Sequence, residues 1–357
     1  MTRVPMTRAS KTPRLRAPAP APTRSVRTST APRRLPLLAA VLALVAVVAT
    51  GCVRFPAEES PPPTATADPL VLPGVQTDVP IEPPPSSEAC NATQTLRPPA
   101  EMPEPARMPP GSTMAEIFER GRLIVGLDIG SNLFSFRDPI SGDIEGFDVD
   151  IAHAIAEAIF GDPQRVEFQV LSSAERVDAL RDHTVDVVIK TMSITCDRLD
   201  DISFSAPYYV ASQRILAFRN SDIRGPAQLA GKRVCAARGA TSIGRMQSIQ
   251  PKVEMVTTST WADCLVLMQQ GQVDAVTSDD AILAGLAAQD PWVQVVGPSL
   301  GEEFYGVGIP KGEDDMVRFV NGVLEDLRAT GRWQEIRNRW LSILDSGYGA
   351  PQPSYRD

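Results

Sequence analysis

Two charged side chains lie where strands of a parallel sheet would open onto a cleft. Arg198 follows the predicted strand Val185–Ile189, and Asp279 follows the predicted strand Val273–Thr277. Ligands of open α/β sheets bind at the carboxyl ends of such strands. A guanidinium can hold a carboxylate through two parallel hydrogen bonds, and a carboxylate can hold a cation. The pair is therefore predicted to face a small ligand that carries charges of both signs.

Both side chains also have ordinary structural explanations. Arg198 could form a surface salt bridge with Asp200 or Asp201, and Asp279 or Asp280 could cap the helix that follows. Arg198 and Asp279 facing each other across a shared gap would favour the binding hypothesis. Positions on unrelated outer faces would contradict it.

Hydroxyl groups follow the same predicted strands. Thr191 and Ser193 lie on the loop that leads to Arg198 and can add hydroxyl or backbone donors. The turn Gly239-Ala240-Thr241 opens a predicted helix, where backbone N–H groups can cradle an anion. A simple helix cap is the alternative role for Thr241.

Several further charges lie near predicted strand ends. Arg176 opens the helix after Ser172-Ser173, Lys190 ends a strand, and Arg238 begins the second turn. An acidic ligand side chain would need at least one of these cations, and Arg176 is the favoured candidate, with solvent exposure at a helix start as its alternative. An amide side chain would need none, and cationic ligands are not expected.

The composition excludes several other function classes. Aromatic residues are only 6% of the chain, and there are two histidines and five cysteines. Without residues 1–51, which carry nine basic and no acidic residues, 26 Lys and Arg face 43 Asp and Glu. Such an acidic surface disfavours nucleic acid as a partner. No nucleophile–His–acid set and no GxxxxGK[ST] loop is evident, so we expect no enzyme, no metal and no cofactor.

Residues 1–51 have the pattern of an export signal. A basic segment precedes the apolar run Leu35–Ala49, about 15 residues long, which is short for a bilayer span of about 20. The following Ala49-Thr50-Gly51-Cys52 resembles a bacterial lipobox, which predicts that Cys52 is lipidated and that the protein sits on the extracytoplasmic face of the cell membrane. A single-pass anchor with an incidental cysteine is the alternative.

The next segment, 52–110, is predicted to be a Pro-rich tether, because residues 53–110 include 16 prolines, which favour extended structure. Exported chains use cysteine mostly in disulfides, and the four cysteines beyond Cys52 allow three pairings. Cys235 ends a predicted strand and Cys264 begins a nearby helix, which favours that pair and leaves Cys90 with Cys196. Free buried thiols are the alternative.

From about Met114 the chain alternates predicted strands and helices, which is typical of parallel sheets with right-handed crossovers. Two such sets joined by two extended crossings, near Tyr209–Arg214 and Phe304–Gly308, predict an α/β fold of two open sheets in two hinged lobes. Lobe one is predicted to span 111–212 and 302–345, lobe two 213–301, and a tail 346–357. Asp148 is predicted to cap a helix, and Asp148 and Asp150 are interpreted as structural rather than catalytic.

Four sequence motifs carry a resemblance to a known family. They are Gly146-Phe147-Asp148-Val149-Asp150-Ile151, Ser193-Ile194-Thr195-Cys196-Asp197-Arg198, Ile202-Ser203-Phe204-Ser205-Ala206-Pro207-Tyr208-Tyr209 and Val273-Asp274-Ala275-Val276-Thr277-Ser278-Asp279-Asp280. In this order they resemble the signatures of the bacterial extracellular solute-binding proteins of family 3, over about residues 113–345. The likeness is greatest to actinobacterial glutamate- and glutamine-binding lipoproteins, which share the positions of Cys235 and Cys264.

The resemblance implies a two-lobed type II periplasmic-binding fold that closes on a free amino acid. It implies that Arg198 and Ser193 bind the ligand carboxylate from lobe one, and that Asp279 binds the ammonium from lobe two. Thr241 would add a donor to the carboxylate, although Ala240 replaces a second hydroxyl residue that the family often has there. Asp128, at the end of the first strand, would contact the amino group or the side chain.

The implied ligands are glutamate, aspartate, glutamine and asparagine, bound by a monomer that delivers them to an ABC permease. A membrane sensor protein in place of the permease is the alternative partner. A dehydratase-like enzyme on the same fold is a remote alternative.

Overall fold

The structure is a computed structural model that describes residues 72–84, 90–249, 251–344 and 349–357. The predicted export signal and the lipidation site at Cys52 lie outside these residues. Within the described ranges, no helix has both the length and the apolar character needed to cross a bilayer.

Nine helices and sixteen strands make up the described part of the chain. The helices are α1 (Thr113–Arg120), α2 (Phe147–Phe160), α3 (Arg176–Arg181), α4 (Cys196–Asp201), α5 (Ser242–Ser248), α6 (Trp261–Gln269), α7 (Asp280–Gln289), α8 (Asp314–Ala329) and α9 (Arg332–Trp340), with a 3₁₀ turn at Pro226–Gln228. The strands are β1 (Gln94–Leu96), β2 (Leu123–Leu127), β3 (Gly130–Ser131), β4 (Ser135–Arg137), β5 (Ile144–Glu145), β6 (Val166–Val170), β7 (Val187–Val188), β8 (Ile202–Phe204), β9 (Tyr209–Phe218), β10 (Arg233–Ala237), β11 (Glu254–Thr258), β12 (Ala275–Asp279), β13 (Val293–Val296), β14 (Glu302–Tyr305), β15 (Gly308–Pro310) and β16 (Ser354–Arg356).

Lobe one is built on a five-stranded sheet in the order β6-β2-β7-β15-β8. The first three strands are parallel, and β15 returns antiparallel between β7 and β8. Strand β2 buries Leu123, Val125 and Leu127 because helices cover the sheet, which is how parallel sheets are normally packed. Helices α2, α8 and α9 contribute to the same core. The loops after β2 and β7 therefore meet at one edge of the sheet.

Lobe two is built on a six-stranded sheet in the order β11-β10-β12-β9-β13, with β14 also paired to β9. Strands β11, β10 and β12 are parallel, and β9 runs antiparallel to β12 and β13. The parallel strands are fully buried at their centres, as at Val234 and Val276. The carboxyl ends of β10 and β12 carry the turn at Gly239 and the carboxylate of Asp279.

The two crossings between the lobes run side by side. Strand β14 pairs antiparallel with the start of β9, from Tyr305 opposite Tyr209 to Glu302 opposite Ser212. The lobe boundaries predicted at 212/213 and 301/302 fall within this ladder. They remain predictions, as does the hinge.

Parts of the segment predicted to be a tether are paired with the lobes. Strand β1 pairs in parallel with β16, and Thr95 donates to the carbonyl of Phe204 at 2.8 Å. Further toward the N-terminus, Gln76 pairs with Thr257 at the edge of the lobe-two sheet. Proline lacks only its own N–H, so the residues between prolines still form backbone bonds.

Both favoured cysteine pairs are disulfides in the structure. Cys90 is bonded to Cys196, and Cys235 is bonded to Cys264. The first disulfide joins the N-terminal segment to the start of α4 in lobe one. The second lies within lobe two, between β10 and α6.

The predicted cap at Asp148 is wrong. Helix α2 begins at Phe147 with Gly146 as its N-cap, because Gly146 has a φ of 138° and a Cβ there would lie 2.1 Å from the carbonyl oxygen of Phe134. Asp148 instead lies fully buried in the first turn. Asp150 accepts a bond from the indole of Trp340 at 2.7 Å, in keeping with its structural interpretation.

Candidate functional site

A small polar cavity lies between the two lobes, at the strand ends predicted to form the site. It encloses about 10 Å³ of space open to the centre of a water molecule, which is room for roughly one water. Its walls combine two guanidinium groups and one carboxyl group with hydroxyl groups and an indole. The lining residues are Arg176, Thr191, Ser193, Arg198, Ala240, Thr241, Ser242, Trp261, Ser278 and Asp279.

Arg198 reaches the cavity from the short helix α4, whose N-cap Thr195 accepts the backbone N–H of Arg198 at 3.3 Å. Its guanidinium donates to the carbonyl of Ser193 at 2.6 Å and, across the lobes, to the carbonyl of Gly239 at 3.0 Å. Burial lowers the pKa of Arg198, although Glu303 and Asp279 oppose that shift. A guanidinium has five N–H donors, so these bonds leave donors for a ligand carboxylate.

Asp279 ends strand β12 on the opposite wall. It occupies the N-cap position of α7, yet its side chain makes no capping bond. Asp280 instead accepts the backbone N–H of Ala281, in the first turn of α7, at 2.8 Å. It also accepts the backbone N–H of Ser212 in β9 at 3.1 Å. The capping alternative therefore applies to Asp280, and the Asp279 carboxylate faces the cavity.

The surroundings of Asp279 favour its protonated form. Burial, reinforced by the charge of Glu303, raises the pKa of Asp279 to about 8. The hydroxyl of Tyr305 donates to the carboxylate at 2.5 Å and opposes that shift. A ligand cation placed beside Asp279 would stabilise the ionised form, because an opposite charge lowers a carboxyl pKa.

Several buried polar atoms at the cavity have no hydrogen-bond partner in the described part of the chain. They are Thr191 Oγ1, Ser242 Oγ and Trp261 Nε1. A buried polar atom without a partner costs about 1–3 kcal/mol. These atoms are therefore suited to a polar ligand that satisfies them when the lobes close.

The loop that carries Thr191 is held in a strained conformation. Thr191 has a φ of 41°, and its backbone N–H donates to Asp148 at 2.9 Å. The other carboxylate oxygen of Asp148 accepts the hydroxyl of Tyr208 at 2.8 Å. Burial raises the pKa of Asp148 to about 7, although these two hydrogen bonds oppose the shift. Asp148 thus holds the backbone of Thr191, which lines the cavity, in place by a hydrogen bond.

Arg176 is fully buried at the cavity and bonded to backbone carbonyls. It donates to Ser173 at 2.9 Å, to Lys190 at 3.1 Å and, across the lobes, to Gly239 at 3.1 Å. Burial, with the neighbouring charge of Arg198, lowers the pKa of Arg176 to about 9. The alternative of solvent exposure at a helix start is wrong, since only 2% of this residue is exposed.

Two further candidates pair with each other. Lys190 forms a buried ion pair with Asp128 at 2.7 Å, and Gly130 and Ser131 also donate to Asp128. Burial works against ionisation of Asp128, but the charge of Lys190 and the hydrogen bonds that Asp128 accepts together outweigh it, so the pKa of Asp128 is below its usual value. Lys190 also lies over the Trp261 ring at 5.1 Å, which is a contact between the lobes. A ligand contact of Asp128 remains a prediction.

Thr241 stands at the cavity edge, where its hydroxyl donates to Glu303 at 3.3 Å. Glu303 also forms an ion pair with Arg245 at 2.8 Å. The third predicted cation, Arg238, donates to the carbonyl of Gly74 at 2.5 Å and does not line the cavity. The structure therefore brings together Arg176, Thr191, Ser193, Arg198, Thr241 and Asp279, and leaves Arg238 elsewhere.

Sequence reasoning missed four of the residues that build the site. Trp261, Ser242 and Ser278 line the cavity, and Tyr305 bonds Asp279. Trp261 begins α6 directly after β11, so the strand-end rule applied to Arg198 would have found it. Tyr305 reaches Asp279 from the second crossing, and no local pattern marks that contact.

Comparisons with known proteins agree with this architecture. Residues 123–343 match the sequence profile of the bacterial extracellular solute-binding proteins, family 3. Among curated proteins, the ABC transporter glutamine-binding protein GlnH of Bacillus subtilis is 32% identical over 230 residues, covering 64% of this chain and 84% of that protein. The glutamate-binding protein GluB of Corynebacterium efficiens is 28% identical, over 63% of this chain and 80% of its own.

Solved structures show the same fold. The P235GK mutant of the arginine-binding protein of T. maritima is 30% identical and has a TM-score of 0.60, covering 64% of this chain and 99% of its own. These similar proteins are named for binding glutamine, glutamate and arginine. They share a two-lobed fold, and they are solute-binding proteins rather than enzymes.

Proposed function

The chain belongs to the bacterial extracellular solute-binding proteins of family 3, and on that premise we propose that it binds a free polar amino acid between its lobes. One observation carries the proposal: Arg198 and Asp279, from opposite lobes, line a single cavity. An amino acid is a zwitterion, and burying its charges without partners would cost several kcal/mol per ion. The two side chains supply a partner for each charge.

We assign the ligand carboxylate to Arg198, with Ser193 and Thr241 as further donors, and the ammonium to Asp279. The support is chemical and spatial. Arg198 is already oriented by the carbonyls of Ser193 and Gly239, so its fork need not be ordered by the ligand. Asp279 lines the same cavity and accepts a hydrogen bond from the hydroxyl of Tyr305.

Binding is coupled to closure of the lobes. The cavity has room for about one water, so the lobes must separate to admit an amino acid and must stay farther apart than here while it is bound. A ligand that touches Arg198 and Asp279 together stabilises the closed arrangement, because only that arrangement offers both contacts. Micromolar affinity requires about −8 kcal/mol, which two satisfied charged ends in a closed site can supply.

The ligand side chain that we propose is polar: glutamine, glutamate, asparagine or aspartate. The cavity wall carries the guanidinium of Arg176 and the unpartnered hydroxyls of Thr191 and Ser242, which suit carboxylate or amide oxygens. The relatives named above bind glutamine and glutamate. A ligand with a cationic side chain would meet Arg176 and is not expected.

We further propose that the protein is a monomeric lipoprotein, anchored through Cys52 on the extracytoplasmic face of the cell membrane, that delivers its amino acid to an ABC permease. GlnH of B. subtilis is itself named as an ABC transporter protein. Co-purification from native membranes tests the partner, since recovery of a membrane sensor in place of a permease would contradict delivery. We expect no chemical conversion of the ligand.

Calorimetry and thermal shift of the purified protein against all twenty amino acids test the binding proposal. Ligand at one hundred times its Kd should stabilise the fold by about 2.7 kcal/mol. The shift should be largest with one of the four polar amino acids, and it should be strongly reduced in Arg198→Ala and Asp279→Ala. A parent protein that responds to none of them would overturn the proposal.

A further inference from the structure

Residues 74–84, here called the strap, lie outside the family match and are seated on lobe two. Gln76 and Thr257 exchange both backbone hydrogen bonds at 2.8 Å, which adds the strap to the edge of the sheet. Gln247 of α5 then clamps it, accepting from the N–H of Glu82 and donating to the carbonyl of Pro80, both at 2.8 Å. This is a specific seat rather than a loose spacer.

The seat is shaped for the strap at Gly244. A Cβ at this position would lie 2.1 Å from the carbonyl oxygen of Pro83. Glycine inside a helix costs roughly 1 kcal/mol relative to alanine. Gly244 lies inside α5 in that unfavourable position, and the close approach of Pro83 gives it a physical reason.

The chain leaves the strap on lobe two and reaches lobe one at Cys90. The Cys90–Cys196 disulfide fixes it to the first residue of α4, two positions before Arg198. The N-terminal segment is therefore held near both rims of the cleft. The hydrogen bonds of the strap hold it on lobe two, and the Cys90 disulfide holds it on lobe one.

The strap forms a third wall at the mouth of the cleft. A chamber of about 200 Å³ is bounded by Glu82 and Pro83 of the strap, by residues of α4 and its cap, and by the turn at Gly239. Its charged groups are Glu82, Asp197 and Arg198. Glu82 lies close enough to Arg198 that each influences the ionisation of the other. With two carboxylates and one guanidinium, the chamber has a net negative charge.

On the basis of the proposed function, we propose that Glu82 is a selectivity residue at the mouth of the cleft. It slows the association of ligands with a net negative charge relative to that of their neutral amides. The chamber and the cavity share Arg198, Ala240 and Thr241, so a ligand that enters from this side passes Glu82. Charges that line a narrow mouth change association rates, because the low-dielectric walls focus their field. Glutamate has a net charge of −1 and glutamine has none, so Glu82 opposes the first and not the second.

The test measures association rates of L-glutamate and L-glutamine with the full chain by stopped flow, following tryptophan fluorescence, since Trp261 lines the cavity. Glu82→Gln should raise the glutamate rate about threefold relative to the glutamine rate at low ionic strength. The difference should shrink in about 1 M salt, where the screening length is about 3 Å.

Asp78→Asn is the matched control, because it removes the same charge from an exposed position of the same strap that does not line the chamber. It should leave the ratio of the two rates unchanged. Gly244→Ala is a second variant that displaces the strap without altering any charge. It should shift the ratio in the same direction as Glu82→Gln and should speed hydrogen exchange at the amides of Gln76 and Thr257.

The outcomes separate this proposal from the proposed function. If both ligands bind and Glu82→Gln changes both rates equally, or Asp78→Asn changes the ratio as much, selectivity at the mouth is wrong and amino-acid binding stands. If neither ligand binds the parent protein, the proposed function fails and the role of Glu82 fails with it.

Discussion

The two faces of the cleft handle charge differently. On lobe one, Lys190 is neutralised by Asp128, and Arg176 and Arg198 are bound to backbone carbonyls. On lobe two, Asp279 bonds the uncharged hydroxyl of Tyr305 and has a raised pKa. Lobe one therefore holds its cations in fixed positions, whereas lobe two holds an acid that ionises most easily when a cation arrives.

The largest effect should come from the lobe-two acid. Asp279→Asn keeps the shape of the side chain and removes its charge, leaving a ligand ammonium buried without a partner. Such a loss costs about 2–5 kcal/mol, so amino-acid affinity should fall by about 30-fold to 5,000-fold in calorimetry. Asp280→Asn removes the neighbouring charge, which caps α7, and should change affinity much less. Equal losses in the two variants would remove Asp279 from ligand binding.

The two arginines of lobe one should differ from each other. Arg198→Ala should lower the affinity for amide and acidic ligands alike, by roughly 30-fold, because it removes a partner of the carboxylate that all amino acids share.

Arg176→Ala should lower the affinity for glutamate more than the affinity for glutamine. It should also lower the melting temperature, since it leaves the carbonyls of Ser173, Lys190 and Gly239 without this hydrogen-bond donor. Equal losses for the acid and the amide would exclude Arg176 from specificity.

Contact between the lobe faces can be tested at Gly239. Its φ is 76°, and a Cβ would lie 2.7 Å from the Cα of Ala174 in the opposite lobe. Gly239→Ala should therefore obstruct closure and lower affinity about tenfold, or about 1.4 kcal/mol. Gly231→Ala has a similar backbone strain at φ 62° with nothing within 4 Å, so it should lower stability and spare affinity. Equal affinities of these two variants would contradict a role of the Gly239 contact in binding.

The smallest predicted effect is a pH dependence of binding. The pKa of Asp279 is raised to about 8, so below that pH the carboxyl is protonated and must lose its proton to pair with an ammonium. Affinity should therefore fall as pH falls, about fivefold from pH 8 to pH 7. Calorimetry in buffers of different ionisation enthalpy should detect release of nearly one proton at pH 7. Binding without proton release would show that Asp279 is already ionised.

The same raised pKa affects stability in the opposite sense. In the unfolded chain this carboxyl ionises near pH 4, so between about pH 4 and 8 the folded state binds more protons than the unfolded state. Its contribution to the free energy of unfolding therefore decreases as pH rises through that window. Ligand binding and folding thus respond to pH with opposite signs at one residue.

Much of the scaffold could be predicted from local pattern. The predicted strand Val185–Ile189 contains β7, because its apolar run is typical of a strand buried on both faces. The predicted strand at 273–277 begins and ends two residues later in the structure, at Ala275 and Asp279. That shift places Asp279 in the strand rather than after it, without changing which edge it reaches.

The rest depended on contacts between distant residues. The pairing of Lys190 with Asp128 joins the ends of two strands 62 residues apart, and Arg176 bonds Gly239 across the lobes. No sequence periodicity shows which hydrogen-bond acceptor such a buried cation reaches. The position of the strap on lobe two could not be predicted for another reason. Its prolines predict extended structure, and an extended segment has the same local pattern whether it is solvated or lies along a sheet edge.

The paired crossings β9 and β14 form the predicted hinge. A two-stranded antiparallel ribbon can twist along its length while its rungs, from Tyr209 opposite Tyr305 to Ser212 opposite Glu302, stay bonded. Tyr305 lies at one end of this ribbon, and its hydroxyl donates to Asp279. A torsional movement of the ribbon would therefore displace the Asp279 carboxyl as well as the distant rims of the cleft.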